Sequence, residues 1–464
     1  MNRIVIVGNG FAARRLARRL RDRGHKGGIT VLGADPSRKR AMPGSAIDEL
    51  AAAGVPWLPR LPDDVAARNS TVITEIDRSN RVVRGEDGET HPYDVLVLAT
   101  GARTAIPDMA GIRDHEGGLC EGVRGVRGIE SPPGVGEGPF VVLGGGPHGL
   151  ETASALGRCG ADTTLVHPGE HPLDRVLDER AGEALSEAVR GAGVTLLTGR
   201  RAKAVENGEL LLDDGTRLPY SELLLCTGTV RETSLARAAG LETGLGIVVD
   251  EQLRTSDECI HAIGDCVEQH GEVPHGADAA RHQADVLAEL LTGGQTGYHR
   301  GEPVIRPRTA GIELLVIGSP NRSPDDDYEE VTLSDPARTR YARLVLRGDR
   351  IHSAVLLGFD SAIAAVRQLH HRGTELPTDK LVLLSGDTTE YAESDELPEN
   401  AVICHCNNVT RADLSRAWAD GARELGSLIS ATRATTGCGT CESSVRSFCA
   451  AMPAPNPETE KDAA

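Results

Sequence analysis

The sequence predicts an α/β fold, on the evidence of two glycine-rich turns and one internal repeat. Each turn follows a short apolar strand, Ile4 to Val7 or Phe140 to Leu143, and leads into a helix. Uninterrupted apolar strands of this length are typical of a parallel sheet that is covered on both faces. The predicted architecture has two nested Rossmann-like dinucleotide-binding domains, an α+β third domain and a small helical domain that carries four cysteines.

The first turn spans residues 8–10, and an alanine takes the place of a third glycine. Glycines here allow a pyrophosphate to approach the backbone amides at the helix N-terminus. A second strand, Ile29 to Leu32, ends shortly before Asp35, where an acid can bind a ribose. Asp35 also precedes a proline, so its alternative role is that of a turn residue. The predicted contacts of this first site are Gly8, Gly10, Ala12 (with Ala13 as the alternative) and Asp35.

The second turn has glycines at all three positions of the dinucleotide motif, Gly144, Gly146 and Gly149. Outside these turns, residues 87–102 and 214–229 repeat one another, each with an Asp-Gly turn, a Pro-Tyr pair, an apolar strand and a Thr-Gly end. Duplicated halves of this kind predict two dinucleotide sites in one chain.

This layout resembles flavoproteins that bind FAD with the first copy and a nicotinamide nucleotide with the second. The segments 99–101 and 261–268 are similar to two further FAD motifs of those proteins. The resemblance implies that Asp265 hydrogen-bonds the ribityl chain, although Gly264-Asp265 could also be a simple turn at a strand end. The implied FAD contacts are Ala99, Thr100, Gly101 and Asp265, and the implied nicotinamide-nucleotide contacts are Gly144, Gly146, Gly149, Thr227 and Gly228.

The residue at the end of the second strand of the second site indicates which coenzyme is bound. An acid favours NAD and an arginine favours NADP at this position, but the sequence has His167. Nearby, Glu170 could bind ribose hydroxyls and Arg175 could bind a phosphate, or both could be solvated loop charges. We predict that His167 and Glu170 contact the coenzyme, with NADH preferred over NADPH.

Four cysteines form two tight pairs near the C-terminus, separated by two predicted helices. Thr410, three residues before Asp413, predicts a capping box at the start of the first helix. Four thiolates are the ligand set of a [2Fe–2S] cluster or of a structural zinc ion, and core thiols are the remaining alternative. We predict a [2Fe–2S] cluster. Its predicted ligands are Cys404, Cys406, Cys438 and Cys441.

The composition restricts the function further. A net charge of −18 argues against binding to nucleic acid or to anionic membranes. The apolar runs are shorter than a membrane helix requires, and the first strand begins too early for a signal peptide. The remaining six cysteines are scattered, which suits a reducing cytoplasm. The sequence has no Cys-x4-Cys pair after the first turn, which excludes a flavin that reduces a neighbouring disulfide.

These observations define the predicted domains. A glycine- and proline-rich hinge is expected at residues 130–139. The FAD-binding domain comprises residues 1–125 and 246–298, the NAD(P)H-binding domain 126–245, the α+β domain 299–390, the [2Fe–2S] domain 400–450, and a disordered tail 451–464.

The motifs together resemble the FAD–NADH–[2Fe–2S] module of the assimilatory NADH nitrite reductase large subunit, which electron-transfer subunits of assimilatory nitrate reductase share. The resemblance rests on GNGFAARRL, ITVLGADP, YDVLVLATGA, YARLVLRGDR, VICHCNNVT and ATRATTGCGTC. It implies a cytoplasmic NAD(P)H-dependent FAD oxidoreductase that delivers electrons to a separate protein, with a molybdenum nitrate reductase expected as the partner. The family usually has Gly-Glu where this chain has Gly264-Asp265. Because the sequence ends at Ala464, before any sirohaem domain, we expect that it does not reduce nitrite alone.

Three other functions share some of these motifs. A reductase component for an oxygenase or P450 would have the same motifs. An amine or amino-acid dehydrogenase subunit would not need the second glycine turn. A non-enzymatic redox sensor would not be expected to keep both nucleotide sites intact.

Overall fold

The structure is a computed structural model that describes residues 3–34, 61–126, 138–274, 276–307, 313–318, 328–373, 375–376, 380–385, 399, 402–404, 409–435 and 441–452. Several predicted features lie outside these residues: Asp35, Cys406 and Cys438, most of the hinge at 130–139, and the tail from residue 453. The chain divides into two compact units, with the division after residue 391.

The elements of the first unit are given in chain order. Residues 3–126 form β1 (Ile4–Val7), α1 (Phe11–Asp22), β2 (Ile29–Gly33), β3 (Ala66–Asn69), β4 (Ile73–Asp77), β5 (Val82–Gly85), β6 (Thr90–Pro92), β7 (Val95–Leu98), β8 (Ala102–Thr104) and β9 (Val123–Gly125). Residues 138–245 form β10 (Phe140–Leu143), α2 (Pro147–Arg158), β11 (Thr163–His167), α3 (Glu179–Gly191), β12 (Val194–Thr198), β13 (Ala202–Glu206), β14 (Glu209–Leu212), β15 (Arg217–Pro219), β16 (Glu222–Leu225), β17 (Thr229–Arg231) and α4 (Ser234–Ala238).

The first unit continues with β18 (Ile247–Val248), β19 (Ile260–Ala262), β20 (Val267–Glu268) and α5 (Ala277–Leu291). It ends with β21 (Val304–Ile305), β22 (Leu314–Ile317), β23 (Glu329–Asp335), a 3₁₀ turn (Pro336–Arg338), β24 (Arg340–Arg347), β25 (Arg350–Leu357), α6 (Asp360–Arg372) and α7 (Lys380–Ser385). The second unit has β26 (Val402–Cys404), β27 (Val409–Thr410), α8 (Arg411–Ala419), α9 (Leu425–Thr432) and α10 (Glu442–Ala451).

Two parallel sheets form the centre of the first unit. The first sheet has the order β19-β7-β1-β2-β3, and the second has the order β12-β11-β10-β16-β9. In both, the apolar strand before a glycine turn is central, and its four residues are buried. The strand β19 pairs with β7, with Ile260 opposite Leu96, although more than 150 residues separate them. The chain therefore returns to the first sheet after the second is complete.

The structure places two segments differently from the predicted domain boundaries. The strand β9, assigned from the sequence to the first domain, pairs with β16 at the edge of the second sheet. Conversely, Leu235, Ala236 and Leu241, assigned to the second domain, pack in the apolar core of the first. The reason is burial: these apolar side chains are 8% exposed or less, and their partners are distant in sequence.

The third domain is an antiparallel sheet in the order β21-β22-β25-β24-β23. Successive residues of β22 face opposite sides, as the period of a strand requires. Leu314 and Val316 pack with Leu185 of α3, whereas Leu315 and Ile317 pack with Ile363 of α6. The alternating pattern of Tyr341 to Leu346, followed by a Gly348-Asp349 turn and a second apolar run, predicts a hairpin, and this hairpin is present as β24 and β25.

The second unit is small and mainly helical. Its buried side chains include Leu414, Leu428 and Val445, one from each of its three described helices. The predicted capping box is present: Asp413 N–H donates to Thr410 Oγ1 at 3.2 Å, and Thr410 N–H donates to Asp413 Oδ2 at 2.9 Å. The helix α10 was not predicted. Over the described part of the chain, we find no helix that combines the length and apolarity needed to cross a bilayer.

Candidate functional sites

The first glycine turn lies directly against the Ala99–Gly101 segment. Gly8 has a φ of +115°, and a Cβ on it would lie 2.0 Å from the carbonyl oxygen of Ala99. The Ala99 N–H donates to the Val7 carbonyl at 2.8 Å, which fixes this approach. Only glycine satisfies both the backbone angle and the space.

The second turn repeats the same geometry. Gly144 has a φ of +113°, and a Cβ on it would lie 2.4 Å from the Cys226 carbonyl oxygen. The Cys226 N–H donates to the Leu143 carbonyl at 2.8 Å. The internal repeat seen in the sequence is therefore also a repeat of backbone contacts.

The third motif position differs between the copies. A Cβ on Gly149 would lie 1.7 Å from the Gly144 carbonyl oxygen, so this helix sits very close to its own turn. The equivalent residue, five positions after Gly8, is Ala13, which is fully buried. Ala12 instead lies beside Gly264: its methyl group is 3.2 Å from where a Cβ on Gly264 would be. Ala12 thus links the first turn to the Gly264-Asp265 segment.

Both helices after the turns begin with a glycine N-cap that has no side-chain cap, Gly10 for α1 and Gly146 for α2. The amides of a helix's first turn have no partner within the helix, and they attract anions. A Cβ on Gly146 would meet nothing within 4 Å. An uncapped helix N-terminus after each glycine turn, with open space at Gly146, fits the pyrophosphate of a dinucleotide.

The two Thr-Gly ends are joined by reciprocal hydrogen bonds, each made by one copy to the other. Thr100 Oγ1 donates to the Glu232 carbonyl at 2.7 Å, and Thr227 Oγ1 donates to the Ala105 carbonyl at 2.5 Å. Between them, β8 pairs with β17 in antiparallel register. Gly101 and Gly228, with φ of +74° and +104°, allow these crossings. Each threonine predicted to contact a nucleotide therefore ties its own copy to the other one.

Asp265 lies near the N-terminus of α5, where the Gly276 N–H donates to its Oδ1 at 3.3 Å. Gly264, with a φ of +84°, donates its N–H to Gln283 Oε1 at 2.6 Å. Gln283 is fully buried and orients this segment from α5. Gln283 has no signal in the sequence, because a glutamine within a helix carries no motif.

The space beside each turn is filled in opposite ways in the two copies. Asn9 and Gly145 each follow the first glycine of their turn, and Gly33 and His167 each end the neighbouring strand. A Cβ on Gly33 would lie 2.6 Å from Asn9 Cβ, whereas one on Gly145 would lie 2.7 Å from His167 Cγ. The first site therefore packs a turn side chain over a strand glycine, and the second packs a strand side chain over a turn glycine.

His167 is buried against the second turn with both ring nitrogens engaged. The Gly145 N–H donates to Nδ1 at 3.0 Å, so Nε2 carries the proton and donates to Asp174 Oδ1 at 3.2 Å. Burial lowers the pKa of His167, and Asp174 opposes this shift. Glu170, the other predicted coenzyme contact, is exposed.

In the second unit, Cys404 and Cys441 are both buried. The Thr435 N–H donates to Cys441 Sγ at 3.2 Å, from a residue with a φ of +68°. A buried sulfur that accepts a backbone N–H, as that of Cys441 does, fits iron–sulfur ligation, since such a bond stabilises the thiolate form. By contrast, burial raises the pKa of Cys226 to about 12 and raises that of Cys266 as well, so these two remain thiols. Cys266, next to Asp265, is a small, fully buried residue.

Two family models match the chain. Residues 2–284 match the pyridine nucleotide–disulphide oxidoreductases, and residues 402–448 match the BFD-like [2Fe–2S] binding domain. The first match covers more than half of the chain, so the chain belongs to the pyridine nucleotide–disulphide oxidoreductase family.

Individual relatives are also similar. The putidaredoxin reductase of Pseudomonas putida is 31% identical over 75% of this chain and 86% of that protein. The nitrite reductase [NAD(P)H] of Bacillus subtilis (strain 168) is 25% identical over 95% of this chain and 56% of that protein. The chain spans about half the length of the curated nitrite reductases that it matches. The crystal structure of the covalent putidaredoxin reductase–putidaredoxin complex has 25% identity and a TM-score of 0.70, covering 85% of this chain and 99% of that chain.

The protein is accordingly an NAD(P)H-dependent FAD oxidoreductase that carries a [2Fe–2S] domain. The predicted fold class, enzyme class and cofactors (FAD, NADH and [2Fe–2S]) are confirmed, as is the resemblance to the nitrite reductase module. The individual cofactor contacts, including the cysteine ligands, stay predictions.

A pair of glycine variants tests the second turn. Gly146→Ala should fold, because its φ is −74° and its Cβ would enter open space, but that methyl group would obstruct a pyrophosphate. We expect at least tenfold weaker NAD⁺ binding, measured by isothermal titration calorimetry, on the usual scale for losing a charge-assisted contact. Gly149→Ala should instead lower the thermal unfolding midpoint, because its Cβ would overlap a carbonyl. The turn would not hold the nucleotide if Gly146→Ala lowered the unfolding midpoint without weakening NAD⁺ binding, and Gly149→Ala weakened binding without lowering the midpoint.

The buried histidines predict a pH dependence of stability. Burial lowers the pKa of His167 and of His261 below 6.5 in the folded protein. As the pH falls through about 6.5, the unfolded chain binds protons first, so the free energy of unfolding decreases by about 1.4 kcal/mol per unit of pKa difference. Chemical denaturation at about pH 7.5 and 5.5 should show a smaller decrease for His167→Gln than for the wild type. His115→Gln, at a highly exposed site, is the control, and equal decreases in all three proteins would contradict the prediction.

Proposed function

We propose that this protein oxidises NADH and passes the electrons through FAD and a [2Fe–2S] cluster to a separate terminal reductase, with a molybdenum nitrate reductase as the favoured partner. The observation that carries the proposal is the combination of two glycine turns in one unit with two buried cysteines in another. A nitrite reductase is the second acceptor of the same chemical class.

Bound FAD accepts two electrons from NADH as a hydride, and a [2Fe–2S] cluster carries electrons singly. The chain's own contribution is positional. The turns at Gly8 and Gly144 hold their nucleotides through backbone amides, and the crossing of Thr100 and Thr227 fixes one site relative to the other. Cys404 and Cys441 supply thiolates in a buried environment. Hydride transfer requires no general acid or base from the protein, so we assign no such residue.

The share of this chain that each relative matches supports a nitrogen-oxyanion reductase as the acceptor. The Bacillus subtilis nitrite reductase matches over 95% of the chain, so that match extends into residues 402–448, which correspond to the [2Fe–2S] domain. The putidaredoxin reductase matches over 75% of the chain. We favour nitrate reductase as the separate partner, because the sequence motifs resemble the module that electron-transfer subunits of assimilatory nitrate reductase share with the nitrite reductase large subunit.

A reductase component for an oxygenase or P450 is the second candidate. It is supported by the 31% identity to putidaredoxin reductase and by the TM-score of 0.70 to that reductase in its covalent complex. In this alternative, electrons would leave for a small redox protein.

Replacing a cluster cysteine should separate the two halves of the reaction. Cys441→Ser removes a buried sulfur of the second unit, so we expect loss of iron from about two atoms per chain and at least a hundredfold slower reduction of the partner protein. Stopped-flow bleaching of the flavin by NADH should stay within about twofold, because the flavin turns lie in the other unit.

The matched control for this experiment is Cys449→Ser, on α10 of the same unit, which should leave both rates and the iron content unchanged. Full partner reduction by Cys441→Ser would show that electrons leave directly from the flavin and that the cysteines are structural.

The choice of acceptor is decided by a direct comparison. The purified protein is given NADH together with, in separate assays, a molybdenum nitrate reductase with nitrate, a sirohaem nitrite reductase with nitrite, and a P450 redox partner. We expect NADH oxidation in the nitrate reductase assay to be at least tenfold faster than in the assay with the P450 redox partner. A specific docking surface would raise the affinity and the association rate for the correct partner by about this factor. Faster transfer to the P450 redox partner would establish the alternative.

A further inference from the structure

We propose that Asp174, held in place by His167, binds the adenosine ribose of the nicotinamide nucleotide and sets the preference for NADH. This inference deepens the proposed function and rests on it for the identity of the substrate. It replaces His167 and Glu170 as direct ribose contacts.

His167 occupies the strand-end position of the second site. It ends β11, next to the second glycine turn, where a strand-end acid would bind the ribose hydroxyls. Its Nδ1 accepts from Gly145 and its Nε2 donates to Asp174, so the ring has no nitrogen left for a hydroxyl. His167 is therefore a positioning residue. It holds the Asp174 carboxylate at the edge of the sheet where a strand-end acid would otherwise lie.

A second contact fixes Asp174 beside the turn. The Leu173 N–H donates to the Gly145 carbonyl at 3.0 Å, so residues 167 and 173 bind both polar groups of Gly145. Leu173 has a φ of +56°, a left-handed backbone conformation that is unfavourable for a residue other than glycine. Its side chain is 5% exposed in the apolar core, and this burial offsets the strain. The backbone next to Asp174 is thus tied to the turn by the Leu173 hydrogen bond and anchored by the buried Leu173 side chain, and the Asp174 carboxylate is held by His167.

The carboxylate of Asp174 is both held and accessible. Its Oδ1 binds His167, and 35% of the side chain is exposed. Gly169 makes room for it, since a Cβ on Gly169 would lie 2.1 Å from Asp174 Oδ2. The loop at residues 199–200 closes the other side: Gly199 N–H donates to the Gly169 carbonyl at 2.8 Å, and Arg200 N–H to the His167 carbonyl at 3.2 Å.

The chemistry of a carboxylate at this edge favours NADH. A carboxylate accepts hydrogen bonds from ribose hydroxyls and repels a 2′-phosphate. The guanidinium of Arg200 could otherwise attract that phosphate, but it pairs with Asp214, with 2.5 Å between Nε and Oδ2. Glu170 is exposed on the same loop and has no comparable connection to the turn among the described residues.

The test is a binding measurement on the full-length, FAD-loaded protein, with ADP-ribose and 2′-phospho-ADP-ribose as the probes. Asp174→Asn should weaken ADP-ribose binding about tenfold, measured by isothermal titration calorimetry, and should reduce discrimination against the 2′-phosphate by a similar factor. Glu183→Gln, an exposed acid on α3, is the control and should change both constants less than twofold.

A double-mutant cycle tests the positioning role of His167. His167→Leu removes the donor to Asp174, so its loss of affinity should match that of Asp174→Asn, and the double variant should lose no more than either single one. His167→Gln, which keeps an N–H donor, should retain affinity within about threefold. Losses that add in the double variant would overturn the coupling.

Two further outcomes would overturn the assignment of Asp174. Glu170→Gln could weaken ADP-ribose binding while Asp174→Asn does not, which would make Glu170 the ribose ligand. Failure of the wild type to bind ADP-ribose would rule out the nicotinamide site, and with it the proposed oxidation of NADH. A wrong acceptor protein, by contrast, would leave all of these binding constants unchanged.

Discussion

The close approach of each glycine turn to the end of the neighbouring strand is the constraint on which the two nucleotide sites depend. At Gly8 the opposing atom is the Ala99 carbonyl, and at Gly144 it is the Cys226 carbonyl. A side chain at either glycine would separate the turn from the strand and displace the start of the following helix. The amides at that helix start are the groups that bind a pyrophosphate. Backbone packing therefore sets the positions at which we propose that the two nucleotides bind.

The duplicated halves are joined by contacts that neither half could make alone. Thr100 and Thr227 each donate to a carbonyl in the opposite connection, and β8 pairs with β17 between them. Because hydride transfer requires two rings in contact, the relative position of the two sites matters more than the affinity of either. Among the described residues, these crossed hydrogen bonds help to fix that position.

The two sites also differ in the side chain that packs beside the glycine turn. In the first, Asn9 packs over Gly33 and accepts from the buried Arg14, with 2.8 Å between Arg14 Nε and Asn9 Oδ1. In the second, His167 packs over Gly145 and presents its outer nitrogen to Asp174. The packing side chain comes from the turn in the first site and from the strand end in the second. The second site thus has a strand-end histidine that can hold a carboxylate.

The sequence by itself determined the features that depend on local chemistry. These are the apolar strands before each turn, the glycines with positive φ, the hairpin at Gly348-Asp349 and the capping box of Thr410 and Asp413. Each follows from the properties of a few neighbouring residues. The cysteine spacing likewise predicted a [2Fe–2S] domain, because two close pairs of thiolates supply the four ligands of one cluster.

Only the tertiary structure decided which distant segments meet. It returned β19 to the first sheet, moved β9 to the second, and placed Leu235 and Leu241 in the first core. It also brought Gln283 to Gly264 and Asp174 to His167. These contacts depend on burial and hydrogen bonding between residues that carry no motif. A histidine at a strand end reads as a coenzyme contact in the sequence, and only the folded chain shows that both of its nitrogens are already bound.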